Sequence, residues 1–340
     1  MKKFLCLGIE STAHTIAVAI IDEDCNILSH EKKMFTTEKG GLIPRELSEH
    51  HSKNIHPLIK SALEKSKKKI NDIDLIAFSQ GPGIGNSLRI GAITARQLSL
   101  LYNIPLIGVN HCIAHIEIGR ILCKASDPVL LYASGANTQI ICFENNYYRI
   151  FGETLDTGIG NFLDTFGRKL GLGFPAGPEL DKRYFLGKKF INLPYTVKGM
   201  DLAFSGLLTA SITKYEEILK QNISQSEKEQ EINNLIYSSL HNAFAMLTEV
   251  TERALAHTKK KEVLLGGGVG CSKALQEMVL KMCEDRGAKL YVPPNNVMVD
   301  NAIMIAWLGI LMKKNGYKTS INNSIIKPKQ RTDEIKINWK

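Results

Sequence analysis

Two β-rich stretches, Phe4-Leu-Cys-Leu-Gly-Ile9 and Thr15-Ile-Ala-Val-Ala-Ile-Ile21, begin the pattern that decides the fold of this chain. Both are short, rich in aliphatic and β-branched residues, and bounded by polar turn residues, which is typical of paired strands. A third stretch, residues 27–35, completes a predicted β-meander. The same pattern returns later, at Val129-Leu-Leu-Tyr132, Thr138-Gln-Ile-Ile-Cys-Phe143 and residues 147–153.

Each predicted meander is followed by helical patterns and by further apolar runs. Residues 75–79 and 106–109 have the continuous apolar character of buried strands, and residues 262–265 and 290–292 repeat that character in the second part of the chain. Two copies of a meander followed by such strands predict a duplicated α/β fold. A fold of this kind has two lobes, and ligands usually bind in the cleft between them.

The length of 340 residues exceeds the size at which one hydrophobic core keeps growing, which also favours two lobes. We expect the first lobe to comprise residues 1–130, completed by residues 300–340, and the second to comprise residues 131–299. The charged stretch 220–231 is predicted to be a polar connector between two helices.

Composition places the chain among ordinary globular proteins, with 44% hydrophobic and 23% charged residues. No apolar run approaches the roughly 18 to 20 residues needed to span a bilayer. The seven cysteines form no C-x-x-C pair, and the N-terminal apolar run is too short for a secretion signal. We therefore expect a protein of the cytoplasm, or also of the nucleus, without a membrane partner.

The charge is basic, because 43 Lys and Arg outnumber 34 Asp and Glu and give a formal charge of +9. A basic chain attracts phosphate backbones, so nucleic acid is a candidate partner. Lysine runs are also common at solvated helix ends, and charge alone leaves both interpretations open. The runs are Lys67–Lys69, Lys188–Lys189, Lys259–Lys261 and Lys313–Lys314.

His111-Cys-Ile-Ala-His115 places two imidazoles four residues apart in a predicted helix. This spacing projects both rings from one helical face, so that they can bind a single metal ion. In the metalloprotease motif H-E-x-x-H, a Glu after the first His acts as general base, whereas here Cys112 occupies that position. The pair predicts a metal site without protease chemistry, unless the two histidines merely share a buried face.

Glycine-rich turns follow two of the predicted buried strands, at Gly81–Gly85 and Gly266–Gly270, and each precedes a predicted helix. Turns of this kind let a backbone approach a nucleotide and direct amides at phosphate, although glycine also simply permits tight turns. Neither matches the dinucleotide fingerprint or the P-loop. Together with Ser134–Thr138 between two predicted strands, they suggest a nucleotide held across the cleft.

Longer motifs spread along the whole chain share one family pattern. They are Gly8–His14, Gly40-Gly41 with Pro44–Glu46 and His50-His51, Asn110–Arg120, Ser134–Gln139, Leu193–Asp201, Phe204–Gly206, Gly267–Cys271, Asp300-Asn301 and Arg331-Thr-Asp-Glu334. With these motifs the chain resembles the catalytic subunits of the eukaryotic and archaeal KEOPS complex. This family comprises the tRNA N6-adenosine threonylcarbamoyltransferases, formerly described as O-sialoglycoprotein endopeptidases.

The resemblance implies an actin-like fold of the ASKHA, RNase H-like type, shared with sugar kinases and the heat-shock 70 ATPase. It implies transfer of a threonylcarbamoyl group from threonylcarbamoyl-AMP to N6 of the adenosine 3′ of the anticodon, in tRNAs that decode ANN codons. The implied partners are tRNA, a small atypical kinase subunit and the other KEOPS subunits.

The resemblance also implies one divalent metal ion per subunit, zinc or iron, with mixed nitrogen and oxygen ligands that suit either metal. The implied ligands are His111, His115, Tyr132 and Asp300. The implied substrate contacts are Tyr132, Ala133, Ser134, Gly135, Ala136, Asp164, Gly177, Asp181 and Ser272. Neither the resemblance nor the sequence assigns a catalytic base.

Three residues depart from the family pattern near the implied site. Ala136 replaces a glycine of S-G-G-N-T, Ser272 replaces an Asn after Gly-Cys, and Ala302 replaces a glycine after Asp300-Asn301. An added methyl narrows places where backbone approaches a ligand or a neighbour. Because the implied metal ligands are all retained, we expect an active enzyme with weaker nucleotide affinity.

Two other functions remain open from the residues alone. An ATP-dependent kinase or ATPase of the same fold is favoured by architecture. Kinases of this fold, however, usually carry an aspartate in the turn after the first strand, where this chain has Glu10. A non-catalytic scaffold of a tRNA-modifying complex is suggested by Ala136 and Ser272.

Overall fold

The computed structural model describes residues 3–38 and 42–340, so the Gly40-Gly41 motif lies outside the described residues. The first part of the chain forms one five-stranded sheet with three helices. Its strands are β1 (Leu5–Glu10), β2 (Thr15–Asp22), β3 (Ile27–Met34), β4 (Leu75–Gly81) and β5 (Leu106–Asn110). Its helices are α1 (Pro44–Ser66), α2 (Gly85–Tyr102) and α3 (His111–Cys123).

The second part forms another five-stranded sheet, a small hairpin and seven helices. Its sheet contains β6 (Val129–Ala133), β7 (Thr138–Glu144), β8 (Tyr147–Glu153), β11 (Glu262–Gly266) and β12 (Lys289–Tyr291), and the hairpin is β9 (Val197–Lys198) and β10 (Asp201–Leu202). The helices are α4 (Ile159–Lys169), α5 (Gly177–Tyr184), α6 (Ser205–Lys220), α7 (Gln225–Thr258), α8 (Lys273–Asp285), α9 (Asn295–Met298) and α10 (Ala302–Lys314). None of the described helices is both long enough and apolar enough to cross a bilayer.

The two sheets have the same topology. The first has the order β3-β2-β1-β4-β5 and the second the order β8-β7-β6-β11-β12. In each, the three meander strands pair antiparallel, and the first of them pairs parallel with a later strand. A tight turn can join antiparallel strands, but parallel strands need a helical crossover. The predicted duplication of a meander with parallel strands is therefore confirmed.

Helices α3 and α10 form a layer between the two sheets. Their apolar residues share one buried cluster with side chains of β1 and β4 on one side and of β6 and β11 on the other. Almost every residue of α10 is buried, as expected for a helix that is apolar on all faces. Gly8 of β1 permits this packing, because a Cβ there would lie 2.4 Å from the carbonyl oxygen of Ala302.

The two parts of the chain also meet outside this helical layer. Thr37, after β3, forms an isolated antiparallel bridge with Phe174, between α4 and α5. The Phe174 amide donates to the Thr37 carbonyl at 2.9 Å, and the ring of His14 lies edge-on to that of Phe174 at 5.6 Å. The β2–β3 side of the first sheet thus touches the α4–α5 side of the second part. The lobe boundaries themselves stay a prediction.

The predicted connector 220–231 is wrong over most of its length. Only residues 221–224 separate α6 from α7, and α7 already begins at Gln225. The Ser224 hydroxyl accepts from the Glu227 amide, and the Glu227 carboxylate accepts from the Ser224 amide. This reciprocal capping box satisfies helix-terminal donors, and Glu, Lys and Gln favour helices. The charged residues are therefore the exposed first turns of a 34-residue helix.

The glycine turn at 81–85 does not offer its central amides to a phosphate. The Gly83 amide donates to the carbonyl of Pro328 at 3.1 Å, and the Ile84 amide donates to that of Thr12 at 2.7 Å. A Cβ on Gly83 would lie 2.7 Å from the Thr12 carbonyl oxygen. Glycine is needed here for close backbone packing. In the second turn, by contrast, the space beside Gly268 is open.

A buried histidine makes the stability of the fold depend on pH. His51 of α1 is fully buried, and its Nε2 has no hydrogen-bond partner among the described residues. Burial, with the nearby charge of His50, lowers the pKa of His51 to about 4. Below pH ~6.5 the unfolded chain binds a proton that the folded chain does not, so the free energy of unfolding falls as the pH falls towards 4.

Between pH 7 and 4 the free energy of unfolding of the wild type should fall by about 3 kcal/mol more than that of His51→Gln, because each pKa unit corresponds to about 1.4 kcal/mol. Urea unfolding of both proteins at several pH values measures it. His56→Gln, at an exposed position of the same helix, is the control. Equal pH dependence in the wild type and in His51→Gln would contradict the prediction.

Candidate metal centre and substrate site

The face of α3 that carries the two histidines is set by the start of the helix. Strand β5 ends at Asn110, whose side-chain oxygen accepts from the Ile113 amide at 3.1 Å and caps the helix. A cap of this type satisfies one of the amides left free at a helix start. His111 is therefore the first helical residue, and His115 lies one turn later on the same face. The predicted i, i+4 pair is confirmed as a helical pair.

Asp300 meets both histidines. Its Oδ1 lies 3.3 Å from His111 Nε2 and 3.4 Å from His115 Nε2. All three side chains are buried, and their ligand atoms lie within 4.8 Å of one another. Within residues 3–38 and 42–340, no second cluster of this kind occurs. The fold thus brings together residues that are 185 positions apart along the chain, from His115 to Asp300.

The three side chains fit a metal ion. Two ligands about 2.1 Å from a tetrahedral ion lie about 3.4 Å apart, which matches both nitrogen–oxygen distances. His115 Nε2 is buried without a hydrogen-bond partner among the described residues. A buried polar atom of this kind is costly unless it is paired. Two imidazoles and a carboxylate are ligands that zinc and iron both accept.

Glu10 holds the other side of His111. Its Oε2 lies 3.0 Å from His111 Nδ1, while its Oε1 accepts from the amide and the hydroxyl of Thr12 at 2.6 and 2.5 Å. Thr12 Oγ1 also lies 3.2 Å from His111 Nδ1. A carboxylate on one ring nitrogen fixes the tautomer and leaves the other for a metal. With both oxygens engaged, Glu10 is not a free acid for phosphoryl transfer, which disfavours the kinase alternative.

The opposite charges of the cluster stabilise the ionised forms of His111 and Asp300. Burial lowers the pKa of His111, but the carboxylates of Glu10 and Asp300 outweigh it and hold that pKa well above its usual value. Burial raises the pKa of Asp300, but the positive charge of His111 and the closeness of both imidazoles hold it well below its usual range. Burial lowers the pKa of His115. A metal would replace the proton on His111.

Tyr132 brings the second sheet to the cluster. It is fully buried at the end of β6, with its ring centroid 5.1 Å from that of His115 and 6.4 Å from that of His111. Burial raises the pKa of its hydroxyl well above the usual value. The tyrosine, the histidines and Asp300 therefore meet where the two sheets face each other. Its role as a metal ligand stays a prediction.

The turn after Tyr132 packs against the start of α4. The amides of Gly160 and Asn161 donate to the carbonyls of Ser134 and Gly135 at 3.0 and 2.9 Å. Gly158 permits this contact, since a Cβ there would lie 2.4 Å from the Gly135 carbonyl oxygen. These contacts hold the turn through its backbone. Its members include Ala133, which ends β6, and Ala136, whose side chain is exposed.

Asp164 of α4 is linked to the start of α5. Its Oδ1 accepts from the Ala176 amide at 2.8 Å, next to Gly177, the first residue of α5. Burial raises the pKa of Asp164. The nearby His14 lowers the pKa of both Asp164 and Asp300. A groove of about 680 Å³ is lined by residues 36–38, 172–176 and Glu179 beside them.

Asp181 and Ser272 form a pair at the start of α8. The Ser272 hydroxyl donates to Asp181 Oδ1 at 2.5 Å and accepts from the Leu275 amide at 3.2 Å. Asp181 Oδ2 also accepts from the Lys273 amide at 3.1 Å. The predicted substrate residues thus lie in three groups: the turn with Tyr132, Asp164 with Gly177, and Asp181 with Ser272. Their contacts with a substrate stay predictions.

Sequence reasoning missed four neighbours of the metal cluster. The sequence predicts Glu10 only as a poor phosphoryl-transfer acid. It gives no individual role to Thr12, to Asn110 or to Thr332, whose side chain hydrogen bonds with the Cys112 thiol next to His111. The signal for Glu10 was the histidine pair itself, because a metal-binding imidazole usually donates its second nitrogen to an acceptor. Which acid serves that role is decided by the pairing of β4 with both β1 and β5, which no local pattern reveals.

We expect Ser272→Asn to tighten binding of threonylcarbamoyl-AMP or ATP without changing metal content. An amide both donates and accepts and reaches further than a hydroxyl, and one recovered hydrogen bond is worth about 0.5 to 1.5 kcal/mol, up to roughly tenfold in affinity. Titration with a non-hydrolysable nucleotide measures it. Ser224→Asn, at the equivalent cap of α7, is the matched control. Equal or weaker affinity in Ser272→Asn would show that the serine is no handicap.

Comparison with known proteins gives one family. The family model TsaD, described as tRNA N6-adenosine threonylcarbamoyltransferase, matches residues 25–307. The tRNA N6-adenosine threonylcarbamoyltransferase of Thermococcus sibiricus is 50% identical, covering 98% of this chain and 100% of that protein. A probable bifunctional tRNA threonylcarbamoyladenosine biosynthesis protein of Methanocaldococcus jannaschii is 49% identical over 98% of this chain and 60% of that protein.

Solved structures agree on the architecture. HypF from Thermococcus kodakarensis has a TM-score of 0.62 at 14% identity, covering 92% of this chain and 48% of that chain. An activator of 2-hydroxyisocaproyl-CoA dehydratase from Clostridium difficile has a TM-score of 0.55 at 11% identity, covering 94% of this chain and 99% of that chain. Identities this low show the fold alone. The fold is the actin-like ASKHA fold, which confirms the prediction.

Proposed function

This chain belongs to the tRNA N6-adenosine threonylcarbamoyltransferase family, and we propose that it forms N6-threonylcarbamoyladenosine at the position 3′ of the anticodon in tRNAs that decode ANN codons. The donor is threonylcarbamoyl-AMP. In the reaction the adenosine N6 forms a bond to the carbamoyl carbon, the bond from that carbon to the phosphate oxygen breaks, AMP leaves with the electron pair, and N6 loses a proton.

The observation that carries the proposal is the buried cluster of His111, His115 and Asp300 beside Tyr132. In the proposal these four side chains hold one zinc or iron ion. A bound divalent ion supplies Lewis acidity towards carbonyl or phosphate oxygen and a template for orientation. The protein fixes the ligands in advance: Asn110 starts the helix, Glu10 sets the His111 tautomer, and Asn301 caps α10 directly after Asp300.

The proposed donor site extends from the metal cluster along α4, α5 and the start of α8. The turn from Ala133 to Ala136 presents backbone at the mouth of this site. Asp164 and Asp181 offer carboxylate oxygens to ribose hydroxyls, while Ser272 and Gly177 flank them. Asp181 is oriented for this role because its oxygens accept from Ser272 and from the first amides of α8.

The proposed partners follow from the substrates and the relatives. One substrate is tRNA, and the net charge of +9 favours a polyanion. The relatives named bifunctional are matched over only 60% of their length, so each contains a further segment beside the part that resembles this chain. This supports a second functional unit working next to the transferase. We propose that here it is a small atypical kinase subunit, accompanied by other KEOPS subunits.

The direct test combines the protein, the partner subunits of its source, an unmodified ANN-decoding tRNA and threonylcarbamoyl-AMP labelled in the threonine. Nucleoside chromatography of the digested tRNA should show labelled modified adenosine. A tRNA with guanosine at the target position is the control and should stay unlabelled. No modified adenosine with all components present would overturn the proposal, and phosphorylation of a small substrate would support the kinase alternative.

We expect the isolated chain to bind tRNA weakly and with a steep dependence on salt. Its positive charge is divided among short lysine runs, and Lys260 of one run is already paired with Asp127. Contacts with phosphates release counterions, so affinity falls steeply as salt rises. Filter binding or fluorescence anisotropy between 50 and 200 mM salt measures the affinity. With several phosphate contacts it should fall by about 10²-fold or more over this range. Tight binding that ignores salt would contradict this prediction.

A further inference from the structure

The segment Arg331–Lys340 runs between the metal-bearing helix α3 and strand β8. At its beginning, the Arg331 carbonyl accepts from the Asn110 side chain at 3.4 Å, immediately before His111. The Thr332 side chain is buried and hydrogen bonds with the Cys112 thiol. On the other side, the Arg331 guanidinium reaches Glu153, the last residue of β8, at 3.3 Å.

The far end of the segment contacts the same two elements. Glu117 of α3 is buried, and its Oε1 accepts from the Trp339 indole nitrogen at 2.8 Å and from the Tyr148 hydroxyl of β8 at 2.5 Å. Its Oε2 accepts from Arg120 at 2.9 Å. Between the two ends, the Ile337 amide donates to the Asn146 carbonyl at 2.7 Å, next to the start of β8.

We propose that residues Arg331–Lys340 are a positioning element for the metal centre, which fixes α3 to the second sheet at two points. One is the start of the helix, beside His111, and the other is Glu117, two residues after His115. The key contact is the one between Trp339 and Glu117. The segment acts through α3 and touches neither metal nor substrate.

The arrangement of the site explains why α3 needs such a positioning element. Two ligands of the cluster lie on α3, whereas Tyr132 comes from β6 and Asp300 from the segment before α10. Metal affinity depends on ligand geometry being fixed within a few tenths of an ångström. A buried carboxylate is costly unless its hydrogen bonds are made, so Glu117 holds Trp339 and Tyr148 to one side of the helix. The Arg331-Thr-Asp-Glu motif, which no catalytic role explains, then forms the other anchor.

The inference rests on the proposed metal site for its consequence, and two measurements separate the two ideas. The first is zinc affinity, by competition with a chromophoric chelator. Trp339→Phe should bind zinc about three- to tenfold more weakly, because the indole N–H to Glu117 is lost. Trp307→Phe is the matched control, since the Trp307 indole N–H is buried in α10 without a hydrogen-bond partner among the described residues. Wild-type affinity in Trp339→Phe would overturn the proposal.

The second measurement is amide hydrogen exchange of the metal-free protein. Trp339→Phe should lose protection along α3, at residues 113–123, whereas Trp307→Phe should keep it. Unchanged protection in Trp339→Phe would overturn the role of the positioning element, whatever the zinc affinity of the variant. If protection falls but the wild type and His111→Ala bind zinc equally, the contact of the segment with α3 is supported and the proposed metal site is wrong. Tyr148→Phe, which removes the second donor to Glu117, serves as the replacement should Trp339→Phe not fold.

Discussion

His111→Ala should lose the metal completely. Purified wild-type protein is expected to contain about one equivalent of zinc or iron, and the variant close to none. The alanine removes one of the two imidazoles and leaves His115 as the single nitrogen ligand, with Asp300 and the Tyr132 hydroxyl, whose pKa burial raises, as the other proposed ligands. Elemental analysis after extensive dialysis gives the stoichiometry. Threonylcarbamoyl transfer should fall to background in the same preparation, since the ion supplies the Lewis acid of the proposed reaction.

His56→Ala is the matched control for this experiment. His56 is an exposed histidine of α1, far along the chain from every proposed ligand, so its loss should leave both metal content and transfer unchanged. Asp300→Asn should behave like His111→Ala, although less severely, because an amide oxygen still reaches the ion without a full charge. Retention of one equivalent of metal in His111→Ala would exclude the site as described.

Glu10→Gln should weaken metal binding by about ten- to hundredfold while leaving the fold intact. The two oxygens of Glu10 accept from the Thr12 amide, the Thr12 hydroxyl and His111 Nδ1. A glutamine has a single acceptor oxygen, so its NH2 group faces either Thr12 or the imidazole N–H. The ring of His111 then loses the partner that fixes its tautomer, and Nε2 is no longer held ready for the ion.

Chelator competition measures this loss, and Asp22→Asn is its control. Asp22 is also a buried acid of the first sheet that accepts several hydrogen bonds, but its partners are Lys3, before β1, and Asn26, at the β2–β3 turn. Its variant should cost stability without changing metal affinity. Identical metal affinity in Glu10→Gln and the wild type would show that the carboxylate has only a structural role.

Local pattern predicted the elements of the fold closely. The first strand was expected at residues 4–9 and is observed at 5–10, and the strand expected at 262–265 is observed at 262–266. Such runs are short-range signals, because a buried strand needs apolar residues in succession whatever it pairs with. The error at 220–231 is of the same local kind. Ser224 and Glu227 form a capping box that indicates a helix start, whereas the high charge of the segment by itself favours a loop.

Two kinds of information were settled by the sequence itself. The repeated meander determined a duplicated α/β fold, since period and spacing dictate which residues can pair. The spacing of His111 and His115 determined that both rings share one helical face, because 3.6 residues make one turn. The motifs that resemble the transferase family supplied Asp300, Tyr132 and the substrate residues as expectations that spacing alone could not produce.

Only the tertiary structure decided what surrounds those residues. Glu10 reaches His111 because β1 and β5 both pair with β4, and Asp300 reaches both histidines because α10 packs between the sheets. The amides of the Gly81–Gly85 turn are taken by Thr12 and Pro328, which are remote in sequence. Trp339 meets Glu117 across 222 positions. Hydrogen bonds depend on distance in space, and that distance is fixed by the packing of whole elements, which no local pattern encodes.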